Sequence, residues 1–396
     1  MSQESLSTSD LQALVLLQRQ YFALYPPYRL TLPDNRLLAS PLGQEFIIQQ
    51  FLGGREGEDG GVSWIRDFQP EQGYQAKFWR RVVAAIENGV AIGGHQQGDE
   101  WVVDDEIYDH VSNLMVSSST GFQEPRPSYR TFIYDLPAKT QPHAECTKDH
   151  NGGRITLLEE QIVIQSGTTG LRTWQVFQHL TAALHLGHHL IQNLSVLLPP
   201  LFALNRGFIE IGAGTGLISI LLSHLGFPVI ATDLGDNEQD FESESSFRTP
   251  LGRLHTNLSL NSYSYEPPEI HHLDWFDARK EPSDPSYDHK WADLVQAKRN
   301  VIAADVIYDP DLVPPLVDSI DVLLGSAKDQ LCAVVAATVR NETTFESFLA
   351  QCAQHHLTVK DIKLPPIPDA NPTFWDSALD AGTRVAIMRI TRKPGR

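Results

Sequence analysis

Residues 208–217, FIEIGAGTGL, decide the fold. Phe208, Ile209 and Ile211 make a short apolar strand that Glu210 interrupts. Glycines at 212, 214 and 216 then lead into GLISILLSHLG, an apolar run long enough for a helix. A second apolar run, PVIATD, follows at once, so strand, tight turn, helix and strand succeed one another as in a βαβ unit. Glycine permits positive φ and lets the backbone approach a ligand closely. The spacing is GxGxG, whereas the dinucleotide fingerprint is GxGxxG. Glu210 stands two residues before the first glycine. A carboxylate there suits a cationic ligand portion such as an amino group and disfavours a pyrophosphate. A purely structural corner without a ligand, and an NAD site, are the competing readings.

The neighbouring strand ends supply partners for that turn. Asp233 closes PVIATD, 233 − 210 = 23 residues after Glu210, where an acid can accept both hydroxyls of a ribose. Leu273, Asp274 and Trp275 end a third strand, EIHHLDW. There a carboxylate or backbone group can read an adenine amino group, and the indole can cover the ring. Adenosine with an amino-acid tail is S-adenosylmethionine. A fourth strand, VIAAD, ends on Asp305, with Tyr308 three residues beyond. It lies across the topological switch point, where ligands sit outside the carboxyl ends of strands. A methyl acceptor must reach this edge. Asn suits an amide acceptor, while an aspartate attracts and orients the ammonium of a lysine. Tyr308 is placed to hydrogen-bond the amine or wall its channel. A helix cap for Asp305 and edge packing for Tyr308 and Trp275 are the structural alternatives.

Outward from this centre, strand and helix alternate from about residue 167. Helices are expected in TWQVFQHLTAALHLGHHLIQN, LGRLHTNLSLN, DLVPPLVDSIDVLLGS and TTFESFLAQCAQHHL, and a strand in LCAVVAATVR. TVKDIKL and TRVAIMRITR close the chain as two strands with no long helix between them. The expectation is an α/β fold: an open, mostly parallel sheet with helices on both faces and an antiparallel edge hairpin. The first ~150 residues differ. LQALVLLQRQYFALY, YQAKFWRRVVAAIENGV and DDEIYDHVSNLMVSS are helical, with the first capped by Ser9 or Asp10. SYRTFIYDL and RITLLEEQIVIQ are strands. A mainly helical N-terminal domain over 1–150 and a catalytic domain over 151–396 follow.

The totals exclude several classes. Lys and Arg number 31 against 49 Asp and Glu, a net charge of −18 that repels nucleic-acid phosphate. No apolar run reaches a membrane span, and the start lacks a basic n-region, so the cytoplasm is the expected compartment. Three scattered cysteines give neither a disulfide framework nor a zinc site. His185, His188 and His189 lie on an amphipathic helix without a completing acid or cysteine, and no metal is expected.

GTTGLRTW, FIEIGAGTGL, LDW, IAADVIYDP and VAATVRN together resemble the seven-strand protein-lysine methyltransferases of the Asp-x-x-Tyr group, in particular the elongation factor 2 lysine methyltransferase branch. The resemblance implies a Rossmann-like methyltransferase sheet, S-adenosylmethionine as cofactor, and methylation of one lysine on translation elongation factor 2. It implies that Trp174 borders the methionine part of the cofactor and that Glu210, Gly212, Gly214 and Gly216 hold its amino-acid end. Asp233 then takes the ribose, Asp274 and Trp275 the adenine, and Ala304 lines the pocket beside Asp305. One departure from the pattern is the acidic insertion LGDNEQDFESESSFRTP after Asp233. A lysine methyltransferase of a chaperone or of another elongation factor, and a non-catalytic binding module, remain as alternatives.

Overall fold

The computed structural model describes residues 5–55, 62–93, 101–119, 128–137, 152–159, 180–202, 206–235, 249–377, 382 and 384–393. Trp174, Cys146 and residues 236–248 of the acidic insertion lie outside the described residues. The chain divides into two compact units. The first holds Met1–Ile133, Leu158–Gly167 and Trp375–Ser377; the second holds Tyr134–Leu157, Thr168–Phe374 and Ala378–Arg396.

Helices dominate the first unit. They are α1 (Thr8–Phe22), α2 (Asn35–Ala39), α3 (Pro41–Ile47), α4 (Ser63–Asp67), α5 (Gln72–Gly93) and α6 (Asp105–Ser119). The cap of α1 is Ser7, whose side chain accepts from the Asp10 N–H; the expected caps, Ser9 and Asp10, lie inside the helix. The core is aromatic. Tyr21, Phe22, Phe51, Phe78 and Trp79 are fully buried, and the Tyr21 and Phe78 ring centroids lie 4.2 Å apart. Gly89 lets α5 meet α2, since a Cβ there would sit 1.9 Å from the Asn35 carbonyl oxygen. Strands β1 (Ser128–Asp135) and β2 (Gly152–Glu159) form a separate two-stranded sheet, as the sequence led us to expect.

The second unit is built on seven strands. In chain order they are β3 (Phe208–Ile211), β4 (Val229–Asp233), β5 (Glu269–His272), β6 (Asn300–Ala304), β7 (Ala333–Thr338), β8 (Leu357–Asp361) and β9 (Val385–Arg392). Their order in the sheet is β5-β4-β3-β6-β7-β9-β8. The first five are parallel to one another, and β9 runs antiparallel to both β7 and β8. The mostly parallel sheet with an antiparallel edge is therefore present.

The helices are α7 (Thr181–Gln192), α9 (Leu217–His224) and α10 (Pro250–Ser259), then α11 (Lys290–Ala297), α12 (Val313–Leu324) and α13 (Glu342–Gln354); the short α8 (Leu194–Leu197) follows α7. Sequence periodicity had not singled out α11. Its two buried side chains, Trp291 and Leu294, are too few to make an apolar stripe stand out among polar neighbours. Strand alternation explains the layers, because successive side chains point to opposite faces. Ile209, Ile211, Val301, Ala303, Ala333 and Val335 join Trp291, Ile320 and Phe348 in one apolar core. Glu210, between two members of that set, therefore faces the other side of the sheet. Topology reverses between β3 and β6, whose register pairs Glu210 with Ile302, and the carboxyl ends of these strands frame the site.

Candidate active site

The glycine turn leaves β3 at Ile211 and enters α9 at Leu217. Gly212, Gly214 and Gly216 all adopt positive φ, at 67°, 55° and 78°. Their surroundings differ. A Cβ on Gly212 would come within 2.9 Å of Val306 and 3.1 Å of the Trp275 indole. A Cβ on Gly214 would meet nothing within 4 Å. The turn is thus packed beneath Gly212 and open at Gly214, which leaves room for a ligand against its backbone.

Glu210 lies under this turn and is almost completely buried. The Ser219 hydroxyl, from the first turns of α9, donates to its carboxylate. Burial raises the Glu210 pKa to about 8; the bonds from Ser219 pull it down, and the nearby charge of Asp233 pushes it up. Two acids near the turn favour a ligand that carries positive charge. Asp233, at the end of β4, accepts the Gly214 N–H at 2.6 Å and the Leu234 N–H at 2.7 Å. Desolvation raises its pKa, while those two N–H groups, Arg253 and His272 oppose the shift. Each carboxylate oxygen keeps a lone pair, enough to accept ribose hydroxyls.

Asp274 caps a short 3₁₀ turn, Trp275–Asp277, by accepting the Phe276 N–H at 3.0 Å. That turn sets the Trp275 indole against Gly212. Strands β3, β4 and β5 therefore bring Glu210, the three glycines, Asp233, Asp274 and Trp275 to one edge, as their spacing in the sequence suggested. This donor set fits S-adenosylmethionine: an open glycine cradle, acids for its cationic groups, and an aromatic face.

On the other side of the switch point β6 ends at Ala304, and Asp305 follows. Asp305 sits in the left-handed region at φ 57°, rare for a residue with a Cβ. Its side chain is 4% exposed. One oxygen accepts the Thr338 N–H at 2.9 Å, and the other accepts the Ala182 N–H at 3.2 Å. Arg340 lies 3.9 Å from the latter oxygen. The sequence reading had Asp305 meeting an incoming ammonium directly; here the carboxylate is turned inward and ties the start of α7 to the end of β7. Tyr308, by contrast, is exposed on the loop that follows. Partial desolvation, then the charges of Asp233 and Asp309, push its phenol pKa up.

Sequence reasoning missed Ser219 and Arg340. Ser219 was discoverable as a hydroxyl within the apolar first turns of α9, and Arg340 as a charge two residues beyond a buried strand. Among the described residues, no group of three or more His, Cys, Asp or Glu is arranged to hold a metal. His188 instead shares a 2.7 Å hydrogen bond with Thr373, and burial lowers the pKa values of His185, His188 and His189.

Residues 181–354 match the family model described as lysine methyltransferase. This segment belongs to that family. It spans α7 to α13, hence the glycine turn, Asp233, Trp275, Asp305 and Arg340. The chain is 26% identical to the protein-lysine N-methyltransferase EFM3 of Chaetomium thermophilum, over 92% of this chain and 94% of that protein. It is 27% identical to the protein-lysine N-methyltransferase EEF2KMT of Bos taurus, over 63% of this chain and 65% of that one. The EEF1A lysine methyltransferase 3 of Xenopus tropicalis is 34% identical, over 30% and 41%. The chain is a protein-lysine methyltransferase, and S-adenosylmethionine is its methyl donor.

Proposed function

We propose that this protein methylates a lysine of translation elongation factor 2. The observation that supports this most is the likeness to EFM3 along nearly the whole chain, since it extends through the helical first unit as well as the catalytic fold. Residues 1–150 serve in this reading to recognise the protein substrate, and 151–396 carry the chemistry. The cytoplasm is the place of action; no described helix is long and apolar enough to cross a membrane.

When bound, the cofactor's sulfonium supplies the methyl group. The chain's own residues do the rest. The turn from Gly212 to Gly216 holds the amino-acid end, with Glu210 beneath it. Asp233 orients the ribose, and Trp275 with Asp274 encloses the adenine. Ala304 lines the wall beside Asp305. Asp305 fixes the start of α7 and the end of β7, so that the walls of the lysine channel are rigid. Tyr308 stands at the rim, where its phenol can bond the amine. Most of the acceleration comes from in-line positioning of the amine.

The experiment is mass spectrometry of elongation factor 2 from cells that lack this protein. Loss of methylation at one lysine is expected. A fully methylated factor sends the substrate assignment elsewhere. The likeness to an EEF1A lysine methyltransferase favours another elongation factor as the second reading, although it covers less of the chain.

A further inference from the structure

Arg340 pairs with Asp305 at the edge where the lysine must arrive. It stands two residues beyond the end of β7, its side chain is 32% exposed, and it lies 3.9 Å from Asp305. Among the described residues, the other charged groups facing this edge include Asp309, Asp233 and Glu210, with Arg253 and His272 beside Asp233. Asp309 lies on the same loop as Tyr308, and Asp233 faces it from β4. Glu210 lies deeper, beneath the glycine turn. From α7 the first titratable side chain is His185, one turn inside the helix.

This matters because an ammonium has no lone pair. A lysine must release its proton before it can attack, and a model lysine holds that proton up to a pH of about 10.4. A carboxylate at the channel strengthens that hold. The Asp305 oxygens are taken up by main-chain N–H groups, yet its negative charge, left unopposed beside the channel, would favour the unreactive ammonium.

We infer that Arg340 is a positioning residue that offsets the charge of Asp305, so that the substrate lysine enters its channel as the neutral amine. The proton leaves to solvent, and the free lone pair is then available for transfer. Arg340 touches no reacting atom in this account; it acts through Asp305. The inference rests on the proposed lysine methylation.

The test is the pH dependence of kcat/KM and of kcat for the full chain, with purified elongation factor 2 as acceptor. The substitutions are Arg340→Gln, Arg340→Met and Arg340→Lys, with methylated sites located by mass spectrometry. Removing the positive charge should move the acidic limb of the kcat profile up by about one pH unit, because that limb reports the bound lysine, while the kcat/KM limb, which reports the free lysine, stays in place. At neutral pH that is about a tenfold loss of kcat, recovered on the alkaline side, with KM falling alongside. Arg340→Lys keeps the charge and should keep the kcat limb in place. A uniform loss at every pH in both Gln and Met variants, or a kcat limb that does not move, overturns the inference while lysine methylation stands. Methyl groups found on a different residue type overturn both.

Discussion

Asp305 combines a left-handed backbone with a buried carboxylate that accepts two main-chain N–H groups. Asn tolerates the same backbone conformation, so Asp305→Asn isolates the side-chain chemistry. Its NH₂ would face one of those N–H donors, leaving a buried donor unsatisfied at a cost of about 1–3 kcal/mol. Thermal denaturation should therefore show a lower Tm together with reduced turnover; an unchanged Tm would return Asp305 to a purely substrate-facing role. The glycine turn gives a paired contrast. Gly214→Ala costs about 1–2 kcal/mol of backbone strain and adds a methyl to open space. It should fold but bind S-adenosylmethionine at least tenfold more weakly by calorimetry. Gly212→Ala meets Val306 and Trp275 as well, and should lose more stability than Gly214→Ala. At this scale positions were legible and directions were not. Motif spacing placed Asp233, Trp275 and Asp305 at strand ends, but the inward turn of Asp305 depends on a φ value that no spacing encodes.

Strand β3 shows how an element selects a protonation state. Its alternation sends Ile209 and Ile211 into the apolar core and Glu210 to the face where Ser219 waits. With a pKa of about 8, Glu210 holds a proton at neutral pH in the free protein. A cationic group bound beside it favours the ionised form. Cofactor binding should therefore release a proton below about pH 8 and strengthen as pH rises toward that value. Calorimetry in buffers of different ionisation enthalpy measures the release directly, and no buffer dependence at pH 7 would contradict it. The stability sign follows from the raised pKa. The contribution of protonated Glu210 is complete below its ordinary value of 4.5 and is lost as pH rises through about 8. The elements themselves were largely readable, because β3, β4, β6 and β7 are short, mostly apolar runs separated by helical periods, while β5 is a polar edge strand. Helix α11 escaped because only Trp291 and Leu294 are buried in it, and Ser219 escaped because its partner is nine residues away on another element.

Across the whole molecule, the first unit is tied together by residues far apart in sequence. Arg130 donates to the Ala23 carbonyl at 2.9 Å and pairs with Asp376 at 2.6 Å, with both side chains about 95% buried. Asp376 belongs to a short return of the chain, Trp375–Ser377, into that unit, and Trp375 packs edge-on against Tyr25 there at 5.2 Å. Removing one partner of a buried pair leaves the other charge uncompensated. Asp376→Asn should cost about 3–5 kcal/mol, read as a fall in Tm. A change within error would show that the pair is replaced by water. Nothing in the local sequence around Asp376 announces this pairing, since composition and periodicity carry no record of contacts between distant segments. A helical N-terminal region before a mostly parallel sheet was visible in the sequence as a change of pattern, whereas the interleaving of the two compact units was not. The central claim is methyl transfer to a lysine of elongation factor 2. The direct measurement is peptide mass spectrometry of purified elongation factor 2 after incubation with this protein and S-adenosylmethionine carrying a deuterated methyl group. The account predicts deuterated methyl on a single lysine, and a factor that gains no label on any lysine would contradict it.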